Sequence, residues 1–322
     1  MPQENIARSA ARSLAPGGFD IRAALKEAIA RLRAAKVSSY TLAAEVLLIH
    51  TLGRDRTWIY AHPEQSLDPV MVEKYWALVA RRSGGEPTQY LTGRQEFWGL
   101  EFEVTPAVLI PRPETEHLVE VALERLGARG IKIGLDTGAP SPHLRIADIG
   151  TGSGCLAVAL AHELPHADVV ATDISEAALV VASRNAARHH LAHRVHLVRT
   201  NLLDALIPAS TPGEDQSHRF DVIVSNPPYV ALDDAPTLAR EVREHEPPAA
   251  LFGGPTGTEM YRGLIEQAAS LLGERGILVL ELGYHSADAV LKIIREAPGW
   301  VNLSVTHDLA GIPRVLAAER RP

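Results

Sequence analysis

Residues 145–160 read RIADIGTGSGCLAVAL, in which a short apolar run, a glycine-rich turn and a second apolar run follow one another. Glycine lets the backbone turn tightly, and the free amide groups at the start of a helix face a ligand. A dinucleotide-binding turn of the form G-x-G-x-x-G would place its third glycine where this chain has Cys155. We therefore expect a strand, a ligand-binding turn at 150–154 and a helix, with a spacing that differs from that of nicotinamide-binding proteins.

Short apolar runs alternate with helical patterns around this turn. The predicted strands are 145–149, 168–172, 195–199, 220–225 and 276–282, and the helical patterns lie near 155–163, 175–189, 258–272 and 286–296. Such alternation is typical of a doubly wound, Rossmann-like α/β fold with a parallel sheet. Two final runs, 303–308 and 313–318, are too close in sequence for a crossover, so they form an antiparallel pair. The sequence thus predicts a seven-stranded, mostly parallel sheet with an antiparallel C-terminal hairpin.

The length of 322 residues exceeds that of a typical single domain. Apolar residues at helical spacing predict three helices near 21–35, 42–51 and 70–82. Apolar residues flank Gly99 in a pattern that favours a short hairpin. We expect a flexible tail at 1–19, with an organellar transit peptide as the alternative, a helical domain at 20–92, a β-hairpin linker at 93–113 and an α/β domain at 114–322.

Composition excludes several classes of protein. The 32 basic and 39 acidic residues give a formal net charge of −7, which provides no excess positive charge for nucleic acid. No apolar run reaches the roughly 18 residues of a membrane span. A single cysteine, Cys155, permits no internal disulfide and no thiolate metal cage. We expect a cytoplasmic monomer that binds no nucleic acid, membrane or metal, and the histidines at 189, 190, 193 and 196 are not interpreted as metal ligands because no carboxylate cluster accompanies them.

Polar residues follow two of the predicted strands. Asp173 ends the second strand, nineteen residues after Gly154, where a carboxylate can accept hydrogen bonds from both hydroxyl groups of a ribose. Alternatively, Asp173 only assists Ser175 in capping the next helix. Asn201 and Leu202 end the third strand, and we expect them to lie at the edge and the face of an adenine ring.

The sequence Asn226-Pro227-Pro228-Tyr229 leaves the end of the fourth strand. Two consecutive prolines make this tetrapeptide rigid and remove two backbone donors. The Asn226 side-chain oxygen and the Pro227 carbonyl then offer two acceptors that match a planar NH2 group, and Tyr229 can stack on that group. This predicts a site that prefers glutamine to glutamate. The alternative is a rigid strand exit with Tyr229 in the core.

Four stretches together resemble one known family. They are YLTGRQEFWGLEFEVTPAVLIPRPETE at 90–116, DIGTGSG at 148–154, SNPPY at 225–229 and DLAGIPRV at 308–315. The chain resembles the HemK/PrmC protein-(glutamine-N5) methyltransferases, which modify the glutamine of the Gly-Gly-Gln motif in peptide-chain release factors. The resemblance implies a class I S-adenosylmethionine-dependent methyltransferase fold and a preceding helical domain that recognises the protein substrate. SNPPY alone is shared with adenine and guanine methyltransferases of nucleic acids.

The resemblance also implies roles for individual residues. The implied cofactor contacts, to S-adenosylmethionine and its product S-adenosylhomocysteine, are Gly150, Thr151, Gly152, Ser153, Gly154, Asp173, Leu202 and Asn226. The implied glutamine contacts are Asn226, Pro227, Pro228 and Tyr229, of which Asn226, Pro227 and Tyr229 are catalytic. The chain departs from some relatives at Asn201-Leu202, where they have Asp-Trp, so the adenine contact is open.

Three alternative functions stay open at this point: methylation of a ribosomal-protein glutamine, methylation of an adenine N6 or guanine N2 in nucleic acid, and a non-catalytic role in translation. Other segments receive structural interpretations. Glu241, Glu244 and Glu246 are expected on a solvated face, with a role as a base as the alternative, and the glycine-rich segment 253–257 is expected to lead into a helix. The loop at 127–143 and the polar segment at 208–219 receive no function.

Overall fold

The computed structural model describes residues 19–134, 142–207 and 219–322, which form two compact units. One unit contains the described residues up to Gly93 together with Ala239–His245, and the other contains the rest. The expected tail lies outside the described residues except for Phe19, as do residues 135–141 of the expected loop and all but Arg219 of the polar segment. No helix in the described ranges is long and apolar enough to cross a membrane.

The first unit is helical. Its helices are α1 (Ile21–Ala34), α2 (Tyr40–Leu52), α3 (Arg56–Ala61), α4 (Pro69–Ser83) and α5 (Thr88–Thr92). Asp20 caps α1 by accepting a hydrogen bond from the Ala23 amide at 2.7 Å. The long helices α1, α2 and α4 confirm the three predicted helices and pack around buried side chains such as Leu32 and Tyr75.

The segment Ala239–His245 was not predicted to belong with these helices. It contains the short helix Arg240–His245. The buried guanidinium of Arg82 forms an ion pair with the half-buried Glu241 and donates to the Glu86 carbonyl at 3.2 Å. Because a buried charge needs such compensation, this pair explains how Arg82 is 4% exposed. Glu241 is thus paired within the helical unit and does not lie on a solvated face.

The second unit begins with a hairpin of β1 (Arg94–Phe97) and β2 (Leu100–Glu103), which pair antiparallel around Trp98 and Gly99. The predicted hairpin is therefore present. Phe97 and Phe102 are buried in the same core as the α/β sheet that follows. The amide of Asn185 fastens β2 by accepting from the Glu103 N–H at 2.7 Å and donating to the Glu103 carbonyl at 3.0 Å.

The central sheet has seven strands in the order β10-β11-β9-β6-β3-β4-β5. Its strands are β3 (Leu144–Ile149), β4 (Ala167–Asp173), β5 (Val195–Arg199), β6 (Phe220–Ser225), β9 (Leu272–Glu281), β10 (Trp300–His307) and β11 (Pro313–Arg320), and β7 (Val230–Ala231) pairs separately with β8 (Phe252–Gly254). Strands β9, β6, β3, β4 and β5 run parallel, whereas β11 pairs antiparallel with β9 and β10. This topology confirms the predicted mostly parallel sheet with its antiparallel C-terminal hairpin.

Helices cover both faces of the sheet. They are α6 (Glu116–Gly127), α7 (Cys155–Glu163), α8 (Glu176–Arg188), α9 (Glu259–Leu271) and α10 (Ala287–Glu296). Successive strand residues enter opposite cores: Val222 and Val224 pack with α6 and α7, whereas Ile223 packs with α9 and α10. Two-sided burial explains why these strands are continuous apolar runs in the sequence. The carboxyl ends of β3, β4, β5 and β6 consequently share one edge, which carries the site.

Candidate active site

A cavity of about 200 Å³ opens at the carboxyl ends of four parallel strands. Its walls include residues 149–153 after β3, 172–175 after β4, 200–202 after β5 and 225–228 after β6. Ligands of open α/β sheets bind at this edge, next to the point where the strand order reverses. Most of the residues expected to bind the cofactor or the glutamine therefore lie around one cavity, although Gly154, an expected cofactor contact, and Tyr229, an expected glutamine contact, are not among its lining residues.

The glycine turn has an open inner surface. Gly150 and Gly152 have φ angles of 71° and 55°, and a Cβ added to either would meet no atom within 4 Å. Gly154 differs, because a Cβ there would come within 3.1 Å of the Ala182 Cβ on α8. The first two glycines thus leave room for a ligand beside the backbone, and the third permits close helix packing.

Asp173 joins the glycine turn to the start of α8. Its Oδ2 accepts from the Gly152 N–H at 2.9 Å, and its Oδ1 accepts from the Ser175 N–H at 2.8 Å. The Ser175 hydroxyl itself caps α8 by accepting from the Ala178 N–H at 3.2 Å. Asp173 therefore assists the helix start, as the alternative interpretation expected, and the residue is also part of the cavity wall. Each carboxylate oxygen retains a lone pair for a ligand.

Leu202 and Asn201 both line the cavity beyond Asp173. Leu202 has a φ of 48°, an uncommon left-handed conformation for a residue with a side chain. The Asn201 amide donates to Asp204 Oδ2 at 3.2 Å. An apolar and an amide side chain thus lie at the end of β5, where the sequence placed the edge and face of an adenine ring.

Asp148, which precedes the turn, is a buried acid that the predicted set of site residues omits. It is fully buried and accepts from the Thr151 hydroxyl at 2.6 Å and from the Ala157 N–H at 3.1 Å. Burial raises its pKa to about 7, against the lowering effect of these two hydrogen bonds. The sequence contains a signal for this residue, because an acid before the glycine turn is visible there.

The Asn226–Tyr229 tetrapeptide begins at the end of β6, next to the glycine turn. The Ser225 hydroxyl donates to the Ile149 carbonyl at 2.8 Å, which ties β6 to β3 at this edge. Asn226, Pro227 and Pro228 line the cavity. Tyr229 packs against the core beside α9 and donates its hydroxyl to Glu281 Oε1 at 3.2 Å, so its expected stacking role remains a prediction.

Three glycines allow other segments to approach this tetrapeptide closely. A Cβ at Gly253 would overlap the Pro228 carbonyl, and one at Gly257 would overlap the Tyr229 carbonyl. A Cβ at Gly283 would lie 2.7 Å from the Tyr229 ring. The segment 253–257 therefore supports the Pro-Pro-Tyr backbone in addition to leading into α9, a role that spacing along the sequence did not reveal.

Glu281, at the end of β9, is a second buried acid that is not among the residues predicted from the sequence. Its Oε2 accepts from the Thr115 hydroxyl at 2.7 Å, and its main-chain carbonyl accepts from the Tyr261 hydroxyl at 2.8 Å. Burial raises the pKa of Glu281 to about 7, although the hydrogen bonds from Thr115 and Tyr229 lower it. This residue contacts the tetrapeptide through Tyr229.

Glu246 corrects an expectation from the sequence. It is 3% exposed, accepts from the Ile110 N–H at 3.2 Å and forms an ion pair with Arg112, so it does not lie on a solvated face. Arg112 and Pro247 line the cavity. The pair thus links the segment after β2 to the segment that precedes β8. Glu244, by contrast, is exposed as expected.

Asp148 and Glu281, the two buried acids whose pKa values are raised, give a prediction for stability. Their pKa values are raised on folding, so the folded protein binds their protons more tightly than the unfolded chain. Their stabilising contribution is present below pH 4 to 4.5 and is lost as the pH rises through about 7. Each group lowers the free energy of unfolding by at most about 1.4 kcal/mol per pH unit in this window.

Urea unfolding of the ligand-free protein at pH 5.5 and 7.5 measures this loss. Glu281→Gln removes one titrating group, so the difference in unfolding free energy between the two pH values is expected to shrink by about 1 to 2 kcal/mol relative to the unmodified chain. An unchanged difference would contradict the raised pKa of Glu281.

Within the described ranges, no group of three or more His, Cys, Asp or Glu side chains is arranged to hold a metal ion. His189 instead contacts the Glu101 carbonyl at 2.9 Å, and His196 lies 3.8 Å from Asp168.

The strand order, the C-terminal antiparallel hairpin and the cavity beside a glycine turn define a class I methyltransferase domain. Residues 135–244 match the methyltransferase small domain, and residues 23–93 match the PrmC N-terminal domain. A solved structure of the hMettl16 catalytic domain with hairpin 1 of the MAT2A 3'UTR is 18% identical with a TM-score of 0.51, covering 76% of this chain and 83% of that one. That likeness concerns the fold.

Relatives that align over nearly the whole chain define the family. A release factor glutamine methyltransferase from Koribacter versatilis (strain Ellin345) is 41% identical, over 93% of this chain and 98% of the relative. One from Moorella thermoacetica (strain ATCC 39073 / JCM 9320) is 43% identical, over 94% and 99%. The chain belongs to the release factor glutamine methyltransferase family, which confirms the resemblance found in the sequence.

Proposed function

We propose that this enzyme transfers a methyl group from S-adenosylmethionine to the side-chain amide nitrogen, N5, of the glutamine in the Gly-Gly-Gln motif of peptide-chain release factors. Family membership supports the substrate class. The observation that carries the chemistry is the placement of Asn226 beside the cavity, with its amide nitrogen donating to Thr115 Oγ1 at 3.1 Å. That contact leaves the Asn226 oxygen as an acceptor.

Features of the cavity support the proposed cofactor. Gly150 and Gly152 leave open space beside the backbone, where a ligand can approach. The Asp173 carboxylate would accept hydrogen bonds from ribose hydroxyls, and Leu202 would cover the base. When bound, S-adenosylmethionine supplies a methyl group on a positively charged sulfur. Residues of the chain at the ends of β3, β4 and β5 would bind and orient it.

The acceptor glutamine would bind at the end of β6. An amide nitrogen is a poor nucleophile because its lone pair is delocalised into the carbonyl. In the proposal, Asn226 Oδ1 and the Pro227 carbonyl accept the two N–H groups of the carboxamide, hold the nitrogen in place and favour a more reactive geometry. A carboxylate would present oxygens to these oxygens, so glutamate should be rejected. Pro228 and Tyr229 would complete this substrate site.

We also propose that the helical unit and the β1–β2 hairpin recognise the release factor, and that the enzyme acts as a cytoplasmic monomer. The net charge of −7 gives no support for direct nucleic-acid binding. The curated relatives named above support release factors over ribosomal proteins as substrates.

A transfer assay tests this function. Purified enzyme is offered release factors, ribosomal proteins and DNA together with labelled S-adenosylmethionine, and peptide mass spectrometry locates the label. The label is expected on the Gly-Gly-Gln glutamine, and a release factor with alanine at that glutamine should receive none. Label confined to DNA or to a ribosomal protein would contradict the proposal.

A further inference from the structure

The side-chain amide of Asn226 begins a chain of hydrogen bonds in which each group donates to the next. Its Nδ2 donates to Thr115 Oγ1 at 3.1 Å, and the Thr115 hydroxyl donates to Glu281 Oε2 at 2.7 Å. A hydroxyl has one hydrogen, and the ionised carboxylate of Glu281, which can only accept, receives it. Thr115 consequently presents only lone pairs to Asn226, so the atom of Asn226 that faces Thr115 must be the nitrogen.

The orientation of this amide decides what the site can bind. The oxygen and nitrogen of an asparagine side chain have nearly the same shape, so packing alone barely distinguishes its two orientations, and the hydrogen-bond network has to do so. With the nitrogen on Thr115, the oxygen is left to accept from a ligand; no group in the described part of the chain is seen to donate to it. The opposite orientation would present an NH2 group, which suits a carboxylate or a carbonyl oxygen.

Glu281 can set the direction of this hydrogen-bonded chain because its side chain is buried and its backbone is held in place. It is 1% exposed, and the Tyr261 hydroxyl fixes its main-chain carbonyl. Its other carboxylate oxygen, Oε1, accepts a hydrogen bond from the Tyr229 hydroxyl at 3.2 Å. One buried carboxylate therefore holds both ends of the tetrapeptide, Asn226 through Thr115 and Tyr229 directly. Buried carboxylates are retained only where such donors compensate their burial.

We propose that Thr115 and Glu281 are positioning residues that hold the Asn226 amide with its oxygen toward the acceptor, and thereby give the site its selectivity for a carboxamide over a carboxylate. The inference rests on the proposed glutamine methylation. It assigns the selectivity to two residues that act through Asn226, one preceding α6 and one ending β9.

Substitutions at Thr115 test this in two matched pairs. Thr115→Val keeps the branched shape and removes the hydroxyl, and Thr115→Ala differs from Thr115→Ser by the hydroxyl alone. The readout is the ratio of inhibition constants for a Gly-Gly-Glu peptide and a Gly-Gly-Gln peptide, measured against methylation of a release factor. Binding of S-adenosylhomocysteine, followed by calorimetry, shows that each variant is folded.

Loss of the hydroxyl is expected to reduce this ratio by at least about tenfold in Thr115→Val and Thr115→Ala, since a buried directional hydrogen bond is lost. Thr115→Ser should restore most of the ratio that Thr115→Ala loses. Glu281→Met, which removes the acceptor but leaves Thr115 intact, should shift the ratio in the same direction, because the freed hydroxyl hydrogen can then face Asn226. In each case kcat should fall more than S-adenosylhomocysteine affinity.

Ratios in Thr115→Val and Thr115→Ala equal to that of the unmodified enzyme would overturn the inference, and so would equal ratios in Thr115→Ser and Thr115→Ala. If either the Val or the Ala variant is unfolded, the other decides. Failure of the proposed function is distinguishable, because the unmodified enzyme would then leave the release factor unmethylated and show no preference for the glutamine peptide.

Discussion

Replacing Asn226 with alanine is expected to lower kcat on a release factor by roughly a hundred- to a thousandfold, the size of effect seen when one preorganised polar group is removed from an active site. The Asn226 oxygen is proposed to accept an N–H of the glutamine and to hold the nitrogen in line with the methyl group. Alanine offers no acceptor, so the substrate nitrogen would lose both its anchor and its orientation.

The same variant should retain its affinity for S-adenosylmethionine within about tenfold, because the other proposed cofactor contacts lie on β3, β4 and β5. Single-turnover kinetics give the rate of methyl transfer, and calorimetry gives the affinity for S-adenosylmethionine. Thermal unfolding checks that the loss of the Thr115 contact has not unfolded the site. Near-normal turnover by folded Asn226→Ala would defeat the role of this residue.

Asp173→Ala is expected to weaken S-adenosylhomocysteine binding by about a hundredfold, since the carboxylate would supply charge-assisted hydrogen bonds to the ribose and also holds the Gly152 and Ser175 amides. The matched control is Asp168→Ala, an acid near the opposite end of β4 whose partners are His143 and His196. That control should change the affinity by less than about twofold.

A cofactor analogue separates the two roles of Asp173. For an S-adenosylhomocysteine analogue without ribose hydroxyls, the ribose contacts are absent in every variant, so Asp173→Ala should cost less affinity than it costs with the natural product. Equal losses for both ligands would show that Asp173 only supports the turn, which is the alternative that the sequence left open.

The sheet was predictable because its strands are buried on both faces, which leaves continuous apolar runs such as 220–225 between helical patterns. The glycine turn and Asp173 were predictable for a related reason. Both follow strand ends, and parallel strands bring their carboxyl ends to one edge. Local patterns thus contained most of the fold and one side of the cavity.

The support behind the tetrapeptide was not predictable from local patterns. Thr115, Asn226 and Glu281 are far apart in sequence and meet only because α6, β6 and β9 pack together. Glu281 appears in the sequence as a strand-end acid, and Thr115 was part of the family resemblance without a role. The residues next to Thr115 and Glu281 in the sequence do not indicate that the two side chains share a hydrogen-bonded chain.

The wrong prediction of a solvated face for Glu246 has a related physical cause. A run of acidic residues usually lies on a solvated face, because burial of a carboxylate is costly without partners. Here the partners, the Ile110 amide and Arg112, come from a segment more than a hundred residues earlier. The contacts of Gly253 and Gly257 were not predicted for the same reason, because the carbonyl groups that they approach belong to Pro228 and Tyr229, which are distant in sequence.

The most direct test of the central claim is a crystal structure of the enzyme with S-adenosylhomocysteine and a Gly-Gly-Gln peptide. We expect the glutamine side-chain nitrogen within hydrogen-bonding distance of Asn226 Oδ1 and the Pro227 carbonyl, with Asn226 Nδ2 still on Thr115. A glutamine amide bound away from the end of β6, or an Asn226 nitrogen turned toward the peptide, would contradict the account.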